Sequence, residues 1–541
     1  MGGERDASDG RPQDRPSPAE RPPALLDVRL VPAALTGWLV TAAGIVWPVG
    51  PAVSALSVTV AAISGVLLWR LSWRPDGAPR LRAVIVALLA VGVVGTGYGL
   101  AVTLRANAIR HHPITAAYGR AARVLVTPSE SALSVGSSRL LFRATLHRLG
   151  PDRMSGRVVV FAPARDFAGL MVGQPVQFDA RIGRPTRRDL TVAVLTARGP
   201  PQVGEAGPVH RAAYAVRGRF AAAARQVLPA PQAAMLPALV LGDTSAVTTT
   251  TAREFRAAGL THLTAVSGAN VTIVCGAVLF SARLIGPRPA VGLAAIALVA
   301  FVIVVQPTAS VLRAAVMGAI TLLAILSSRR RQALPALSAA VLVLLVAAPQ
   351  LAVDAGFALS VVATAALVVI APVWSRRMVG RGCPRLLADA IAIAWAAHVV
   401  TAPLVAGISG RVSLVGALAN LAVAPVIAPI TVLGSAAAVL STLWPTPAQL
   451  LIRFTGPELW WVLHVAHWAA GVPGATVAVP VGVAGVLVVG AGAVLIVLLW
   501  RWRWFRAMTA TATVCLLAWS GSSLVIGHVA AMSAVRDTIV G

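Results

Sequence analysis

The sequence predicts a polytopic α-helical membrane protein of roughly 11–13 spans with an inserted small extracytoplasmic β-barrel, OB-fold-like domain. Two observations lead to this fold class. The 541 residues are 57% hydrophobic and only 12% charged, with a mean hydropathy of +0.79, which is far from the composition of a soluble protein. Apolar runs of about 17–25 residues recur from Pro32 to Ala531, and each could cross a hydrocarbon core of ~30 Å.

The N-terminal part divides into a tail and a first membrane unit. Residues 1–31 are polar and rich in Pro and Arg at their start, so they predict a disordered cytoplasmic tail. Residues 32–105 hold N-terminal transmembrane helices, with spans at Pro32–Trp47, Pro51–Leu71 and Ala83–Leu104. Positive residues gather in cytoplasmic loops, and the loop Arg70–Arg82 is basic. The N-terminus is therefore predicted inside and the chain after the third span outside.

The β domain is predicted from a change in the sequence pattern within 106–205. Short alternating apolar runs such as "GRVVVFAP" and "QPVQFDARIG" are separated by turn residues, a pattern typical of strands. Five such runs between Arg120 and Val203 predict a small barrel or sandwich. Its Phe142, Phe161 and Phe178 are either core residues, which we favour, or platforms on which bases stack.

The remainder returns to helical patterns. Residues 206–258 predict amphipathic, interfacial helices, among them Val209–Val227 and a short helix capped by the threonines before Ala252. Residues 259–500 predict a transmembrane domain, and 501–541 predict the last transmembrane helix, Ala507–Ala530, and a short tail. Counting crossings against the basic loops requires 412–443 to be one broken crossing rather than two. The plasma membrane is the predicted location.

The net charge of +27 comes entirely from arginine, since the sequence contains no lysine. Most of this excess is explained by the preference of cytoplasmic loops for positive residues, and the remainder suits an anionic ligand. Carboxylates are scarce beyond Ala206 and fall mostly at span ends, which argues against a proton-coupled transporter. These six carboxylates are Asp243, Glu254, Asp354, Asp389, Glu458 and Asp537.

Polar residues crowd the start of one predicted span, in "GLTHLTAVSGANV" (Gly259–Val271). Polar groups in lipid cost free energy unless they are paired or hydrated. Arg313 lies near the start of another span, where it either snorkels to the headgroups or provides a fixed cation in a water-filled path. Asp354 and Asn270 are candidate partners for it. Ser360 and Asn420 are single polar residues in apolar runs, which more often join helices than form a site.

Two short patterns could indicate a metal site or a serine hydrolase, and each has a simpler explanation. His464 and His467 are spaced as two ligands on one helix face, but the neighbouring tryptophans favour an interfacial aromatic belt. "AVSG" around Ser267 resembles the GxSG of intramembrane serine proteases, with Ala265 in the place of the first Gly and His262 or His398 as a base. No Walker A pattern is present, and no cofactor or metal is expected.

The longer motif "GDTSAVTTTTAREFRAAGLTHLTAVSGANVTIV" (Gly242–Val274) resembles the signature of ComEC-type competence proteins. Ordered matches follow at Ser310–Ala324, Ala347–Val369 and Ile408–Pro429, so the resemblance covers about Leu236 to Leu499. The strand-rich segment before it is similar to the family's extracytoplasmic OB-fold-like domain. The HxHxDH cluster of the metallo-β-lactamase-like domain that many members carry is not found, so nuclease activity is not carried over.

The resemblance implies a channel through which one strand of DNA enters the cell during natural transformation, and it implies no enzyme. Its implied partners are single-stranded DNA, the lipid bilayer, a DNA receptor protein, a separate nuclease, a cytoplasmic motor and further copies of the chain. A non-transporting member of the family is the alternative, beside a serine hydrolase. Carried over by motif, the pore or core candidates are Arg256, His262, Ser267, Asn270, Arg313, Ser360 and Asn420.

Overall fold

The computed structural model describes most of the chain outside its two termini. The described residues are 27–47, 49–73, 79–136, 138–306, 308–326 and 332–499, together with 502, 504, 508 and 511. Most of the predicted N-terminal tail and of the last span, Ala507–Ala530, therefore lies outside the described residues.

The N-terminal helices form a small unit in which tight contacts between small residues set the packing. The helices are α1 (Val31–Val46), α2 (Gly50–Ser72) and α3 (Pro79–Arg110). A Cβ added at Gly92 of α3 would lie 2.6 Å from the backbone nitrogen of Ala61 in α2, so the two backbones approach closely. This is the packing that small residues allow between membrane helices.

The predicted β domain is a closed barrel. After a 3₁₀ turn (Pro113–Ala117), its elements are β1 (Ala121–Pro128), β2 (Leu133–Val135), β3 (Arg139–Leu149), β4 (Asp152–Pro163), the short helix α4 (Ala164–Phe167), β5 (Val176–Gly183) and β6 (Ala193–Val203). The strand order is β1-β5-β6-β4-β3, and a β1–β3 pairing closes the ring. Only β4 and β6 run parallel, and β2 extends the edge of β3. Five strands closed in this way give the predicted OB-fold-like barrel.

Alternation along each strand fills the barrel with apolar side chains. Phe142 and Phe178 are buried and meet Phe167 of α4, whose ring centroid lies 5.3 Å from that of Phe178. These two phenylalanines are therefore core residues, as favoured above. Phe161 is only partly buried, because its neighbours Val160 and Ala162 occupy the interior face. The barrel core thus depends on the helix that joins β4 to β5.

Two polar contacts join the barrel to the ends of membrane helices. Arg188 donates to the Val46 carbonyl at the end of α1 (2.6 Å), and Ser131 donates to Gln306. Arg143 and Arg157 flank Glu130 on the barrel, with nitrogen–oxygen distances of 2.8 and 3.5 Å. Burial lowers the pKa of Arg157 while the Glu130 carboxylate opposes that shift. The barrel therefore lies at the end of the bundle where α1 ends.

Three helices precede the motif. They are α5 (Pro208–Val227), α6 (Ala230–Leu241) and α7 (Thr249–Ala257), and Thr248 caps α7 by accepting a hydrogen bond from the Thr251 amide (3.2 Å). The interfacial prediction for 206–258 is wrong for α6, which is buried along most of its length in the helical core. Its composition of Ala, Leu, Val and Met makes it apolar on all sides, as a buried helix must be.

The helices of the transmembrane domain predicted at 259–500 follow closely. They are α8 (Thr261–Thr264), α9 (Gly268–Ser281), α10 (Pro287–Val305), α11 (Ala309–Leu326), α12 (Ala333–Ala347), α13 (Ala355–Val369), α14 (Ala371–Val379), α15 (Arg385–Ser409), α16 (Gly416–Leu443), α17 (Pro445–Phe454), α18 (Gly456–Gly471) and α19 (Val483–Leu499), with 3₁₀ turns at Ala282–Ile285 and Pro349–Val353. Two short strands, β7 (Arg411–Ser413) and β8 (Thr476–Ala478), pair antiparallel.

Among the described residues, eight helices are long and apolar enough to span a membrane, and four shorter apolar helices accompany them. The segment 412–443 is a single crossing but not a broken one, since α16 runs without interruption through Pro425 and Pro429. Its first residues instead form β7, which pairs with β8 (Thr476–Ala478), and α19 begins after this pairing at Val483.

We expect Phe167→Ala to loosen the barrel by about 3–5 kcal/mol, the usual cost of removing a buried phenylalanine. The measurement is hydrogen exchange of β4 and β5 amides in the full-length protein, which should accelerate. Phe161→Ala is the matched control, because its side chain lies on the outer face, and it should have a much smaller effect. Equal protection in both variants would contradict this account of the core.

Candidate nucleic-acid path

The motif begins with a segment that runs between two left-handed glycines. Gly242 (φ +71°) ends α6, and Gly259 (φ +70°) ends α7. A Cβ at Gly259 would lie 3.0 Å from the Cα of Gly416, so the two backbones touch where α16 begins. The glycine at 259 is therefore required both by its backbone conformation and by this close approach. We call residues 243–266 the motif segment.

Two polar contacts hold the motif segment against other helices. Ser413 Oγ donates to the Ala257 carbonyl (2.7 Å), and His467 Nδ1 of α18 lies 2.8 Å from Glu254 Oε1 of α7. Phe255 and Leu260 anchor the segment through apolar packing in the core. His467 is thus part of an interhelical hydrogen bond and not of a pair with His464, which packs on the Trp460 ring.

Two of the predicted site residues are exposed on the motif segment. Arg256 is exposed on α7, and His262 is exposed on α8, beside the backbone of Gly259 and within electrostatic range of His398. The His398 ring lies close to Gly416, where a Cβ would be 3.0 Å from Cε1. His398 is about midway along α15, so the motif segment reaches far into the bundle.

Asn270 and Ser267 form a polar junction at the start of α9. Asn270 is 5% exposed, and its Nδ2 donates to the Leu239 carbonyl of α6 (2.9 Å). Ser267 Oγ donates to Asn270 Oδ1 (3.3 Å). Asn270 therefore joins α9 to the end of α6. Within the described part of the chain, Ser267 has no hydrogen bond to an imidazole, so the geometry gives no support to a serine nucleophile.

Arg313 is enclosed beside this junction without a carboxylate. It is 5% exposed, and its Nε donates to Ser360 Oγ (2.8 Å) while Nη1 lies 3.3 Å from Met317 Sδ. Among the described residues no carboxylate oxygen lies within ion-pair distance of it. The predicted partner Asp354 instead caps α13 by accepting from the Phe357 amide (2.8 Å). Arg313 therefore does not snorkel from an isolated helix but is enclosed with its charge unneutralised.

The structure thus brings four of the seven predicted residues into one cluster. A Cβ at Gly268 would lie 3.0 Å from Nη2 of Arg313, so this glycine connects the Ser267–Asn270 junction with the Arg313–Ser360 pair. Asn420 is elsewhere: its Nδ2 donates to the Gly416 carbonyl one turn earlier in α16 (2.8 Å), near His398. Arg256 and His262 are also outside the cluster, on the motif segment.

Sequence reasoning missed Arg217 of α5. It is 8% exposed, and its Nη1 lies 3.0–3.4 Å from the carbonyl oxygens of Leu241, Val304 and Val305. Its Nη2 is 3.8 Å from Asp243. A cation stabilises helix C-termini, and here one guanidinium donates hydrogen bonds to the last carbonyls of both α6 and α10. The sequence signal for Arg217 is its helical spacing from the other buried residues of α5, which are Ala213, Phe220, Ala223 and Ala224.

Two apolar grooves are evident on the described surface. One, of about 430 Å³, follows α10 from Ala295 to Ile303, and the other, of about 290 Å³, lies between α13, α15 and α19. None of the seven residues lines either groove. Asn270 and Arg313 are each 5% exposed, so in this conformation these two members of the cluster are packed against neighbouring helices.

The comparisons with known proteins come to one match. Residues 239–504 match the family model described as "Competence protein". No curated protein and no solved structure is similar enough to match. The matched residues contain the motif segment, the cluster around Arg313 and every helix from α7 to α19. The chain is a polytopic helical membrane protein whose residues 239–504 match the competence protein family, in agreement with its resemblance to ComEC-type proteins.

Replacing Arg217 with Met should destabilise the protein by about 2–4 kcal/mol, because carbonyl groups at the ends of α6 and α10 lose their donor. The measurement is thermal unfolding of detergent-solubilised protein. Arg219→Met is the matched control: Arg219 is exposed two residues further along α5 and contacts a single carbonyl, that of Thr442. It should change stability by less than about 0.5 kcal/mol. Equal losses of stability in the two variants would show that the carbonyl contacts of Arg217 do not stabilise the protein more than that of Arg219.

Proposed function

We propose that the protein is an inner-membrane channel that admits single-stranded DNA during natural transformation, and that it is not an enzyme. The match to the competence family supports a role in DNA uptake. The observation that carries the finer proposal is Arg313, a cation enclosed among apolar helices with no carboxylate partner in the described chain. Such a charge is costly unless an anion reaches it. A DNA backbone supplies one phosphate per nucleotide.

The proposed orientation places the barrel outside the cell and the N-terminus in the cytoplasm. The barrel lies where α1 and α10 end. The loops at the opposite ends of the helices carry arginine, which cytoplasmic loops favour. These residues are Arg283, Arg288, Arg376, Arg377, Arg381 and Arg385. DNA would therefore meet the barrel side first and leave towards the basic loops.

The seven residues take different parts in this proposal. Arg256 and His262, which are exposed on the motif segment, would meet the incoming strand, and sequence-tolerant contacts with phosphate suit a channel for any DNA. The cluster of Ser267, Asn270, Arg313 and Ser360 would line the path once it opens, with Asn420 further along α16. A DNA receptor, a separate nuclease, a cytoplasmic motor and further copies of the chain complete the proposed machinery.

Conduction by this route requires the motif segment to move. The polar cluster is packed in this conformation, and the motif segment leads directly into it at Ser267, the residue before α9. Its hydrogen bonds to His467, through Glu254, and to Ser413 are contacts that can part without breaking a helix. Glycine at both turns permits the backbone to change direction.

Arg313→Ala and Asn270→Ala should each abolish uptake of labelled DNA while the protein still reaches the membrane. The first loses the fixed cation, and the second loses the bond from α9 to α6. Thr321→Ala is the matched control, since Thr321 is exposed on α11 and bonds only to its own helix. Immunoblots of membrane fractions measure insertion. Normal transformation by both variants would refute the path proposed here.

Locking the motif segment should also stop uptake. In a background without Cys275, Cys383 and Cys515, a short bis-methanethiosulfonate reagent should join Glu254→Cys in α7 to His467→Cys in α18, since these side chains meet through a carboxylate and an imidazole, and reductant should restore uptake. The control pair is Ser54→Cys and Gly99→Cys between α2 and α3, where a Cβ at residue 99 would lie 3.3 Å from the Ser54 Cβ. Uptake that continues with α7 and α18 crosslinked would show that the segment does not gate it.

A further inference from the structure

The first turn of α9 presents donors that no acceptor in the described chain satisfies. The amides of Gly268 and Ala269 are the first two of a 14-residue helix, and neither has a hydrogen-bond acceptor among the described residues. Ser267, the residue that precedes the helix, makes no side-chain cap, because its hydroxyl turns to Asn270. Free amides and the helix dipole together favour an anion at such a terminus.

A second observation at the same place points to a ligand. Arg313 is only 5% exposed, and its Nη2 has no hydrogen-bond partner among the described residues. That nitrogen would be 3.0 Å from a Cβ at Gly268, so it is directed at the first residue of α9. Two kinds of unsatisfied donor, one of them a fixed charge, therefore converge from α9 and α11.

Glycine at 268 is what allows this convergence. Its φ is not left-handed, so no turn requires glycine here. A Cβ would instead lie 3.0 Å from Nη2 of Arg313 and 3.4 Å from Cβ of Ala314. The guanidinium would have to withdraw from the helix end to admit a methyl group. Gly268 therefore keeps Nη2 close to the α9 amides.

We propose that Arg313 Nη2 and the Gly268–Ala269 amides of α9 form a binding site for one phosphodiester monoanion. A phosphate oxygen accepts hydrogen bonds from amides and from a guanidinium at the same time, and the singly charged diester neutralises the enclosed cation. Nη1 and Nε remain on Met317 and Ser360, which hold the guanidinium in place. Ser310 supports Ser360, with their hydroxyl oxygens 3.2 Å apart.

This site deepens the proposed channel and rests on it only for the source of the phosphodiester. In a DNA channel the site would hold one backbone phosphate at a time. A phospholipid headgroup carries the same chemical group, and it would make the same contacts without any DNA uptake. The binding chemistry can therefore be tested apart from transport.

The test uses full-length protein in maltoside micelles, which contain no phosphate. Dimethyl phosphate is titrated at constant ionic strength, and thermal unfolding reports binding through the rise in Tm. Wild type should be stabilised, whereas Arg313→Gln and Gly268→Ala should bind about tenfold more weakly or worse, the fold-change for losing a hydrogen bond to a charged group. Gly276→Ala is the matched control, since it lies on the same helix and a Cβ there contacts nothing within 4 Å.

The outcomes separate the site from the channel. Equal stabilisation of the Gly268→Ala and Gly276→Ala variants, or no stabilisation of wild type, overturns the site. If the site binds dimethyl phosphate, oligothymidylate and phosphatidylglycerol are then added as competitors. Competition by oligothymidylate, with loss of DNA uptake in Gly268→Ala cells, supports a DNA phosphate. Competition by phosphatidylglycerol alone supports a lipid headgroup. The phosphodiester site is then confirmed, whereas Arg313 no longer supports the channel proposal.

Discussion

The cost of enclosing an arginine among apolar helices shapes the centre of this protein. Arg313 satisfies Nε and Nη1 with Ser360 and Met317, and no described carboxylate offsets its charge. Arg217 meets the same cost differently, through carbonyl groups at two helix ends and Asp243. The first arrangement leaves a donor unsatisfied and the second closes a junction. Only the first is suited to bind something that is not part of the chain.

Helix termini supply hydrogen-bond partners for these buried polar side chains. A helix interior has no free backbone groups, so polar side chains in a bundle find partners mainly where helices end. Asn270 bonds to the last turn of α6, Arg217 to the ends of α6 and α10, and Arg313 faces the start of α9. The motif lies where short helices begin and end inside the bundle. That placement supplies partners for polar residues that a continuous span would have to leave unsatisfied.

The barrel and the bundle follow separate rules of packing. The barrel encloses alternating side chains around Phe142, Phe167 and Phe178, so it has a core of its own. The bundle relies on close backbone approach at glycines, such as Gly92 against Ala61 and Gly259 against Gly416. Their junction combines the polar contacts of Arg188 and Ser131 with apolar packing of Leu190 against the membrane helices. The barrel is therefore joined to the bundle by both kinds of contact.

The sequence by itself determined the class of structure. Apolar runs of spanning length and period-two alternation are local properties, so the helices, the barrel and the family could all be read from residues in order. It misjudged α6, whose burial depends on its neighbours, and α16, where helical packing kept two prolines within one helix. Tertiary structure alone decided which polar residues meet. Gly268 and Arg313 are far apart in the chain, and Arg217 shows its importance only when the ends of α6 and α10 converge on it, because hydrogen bonds depend on positions that local patterns do not specify.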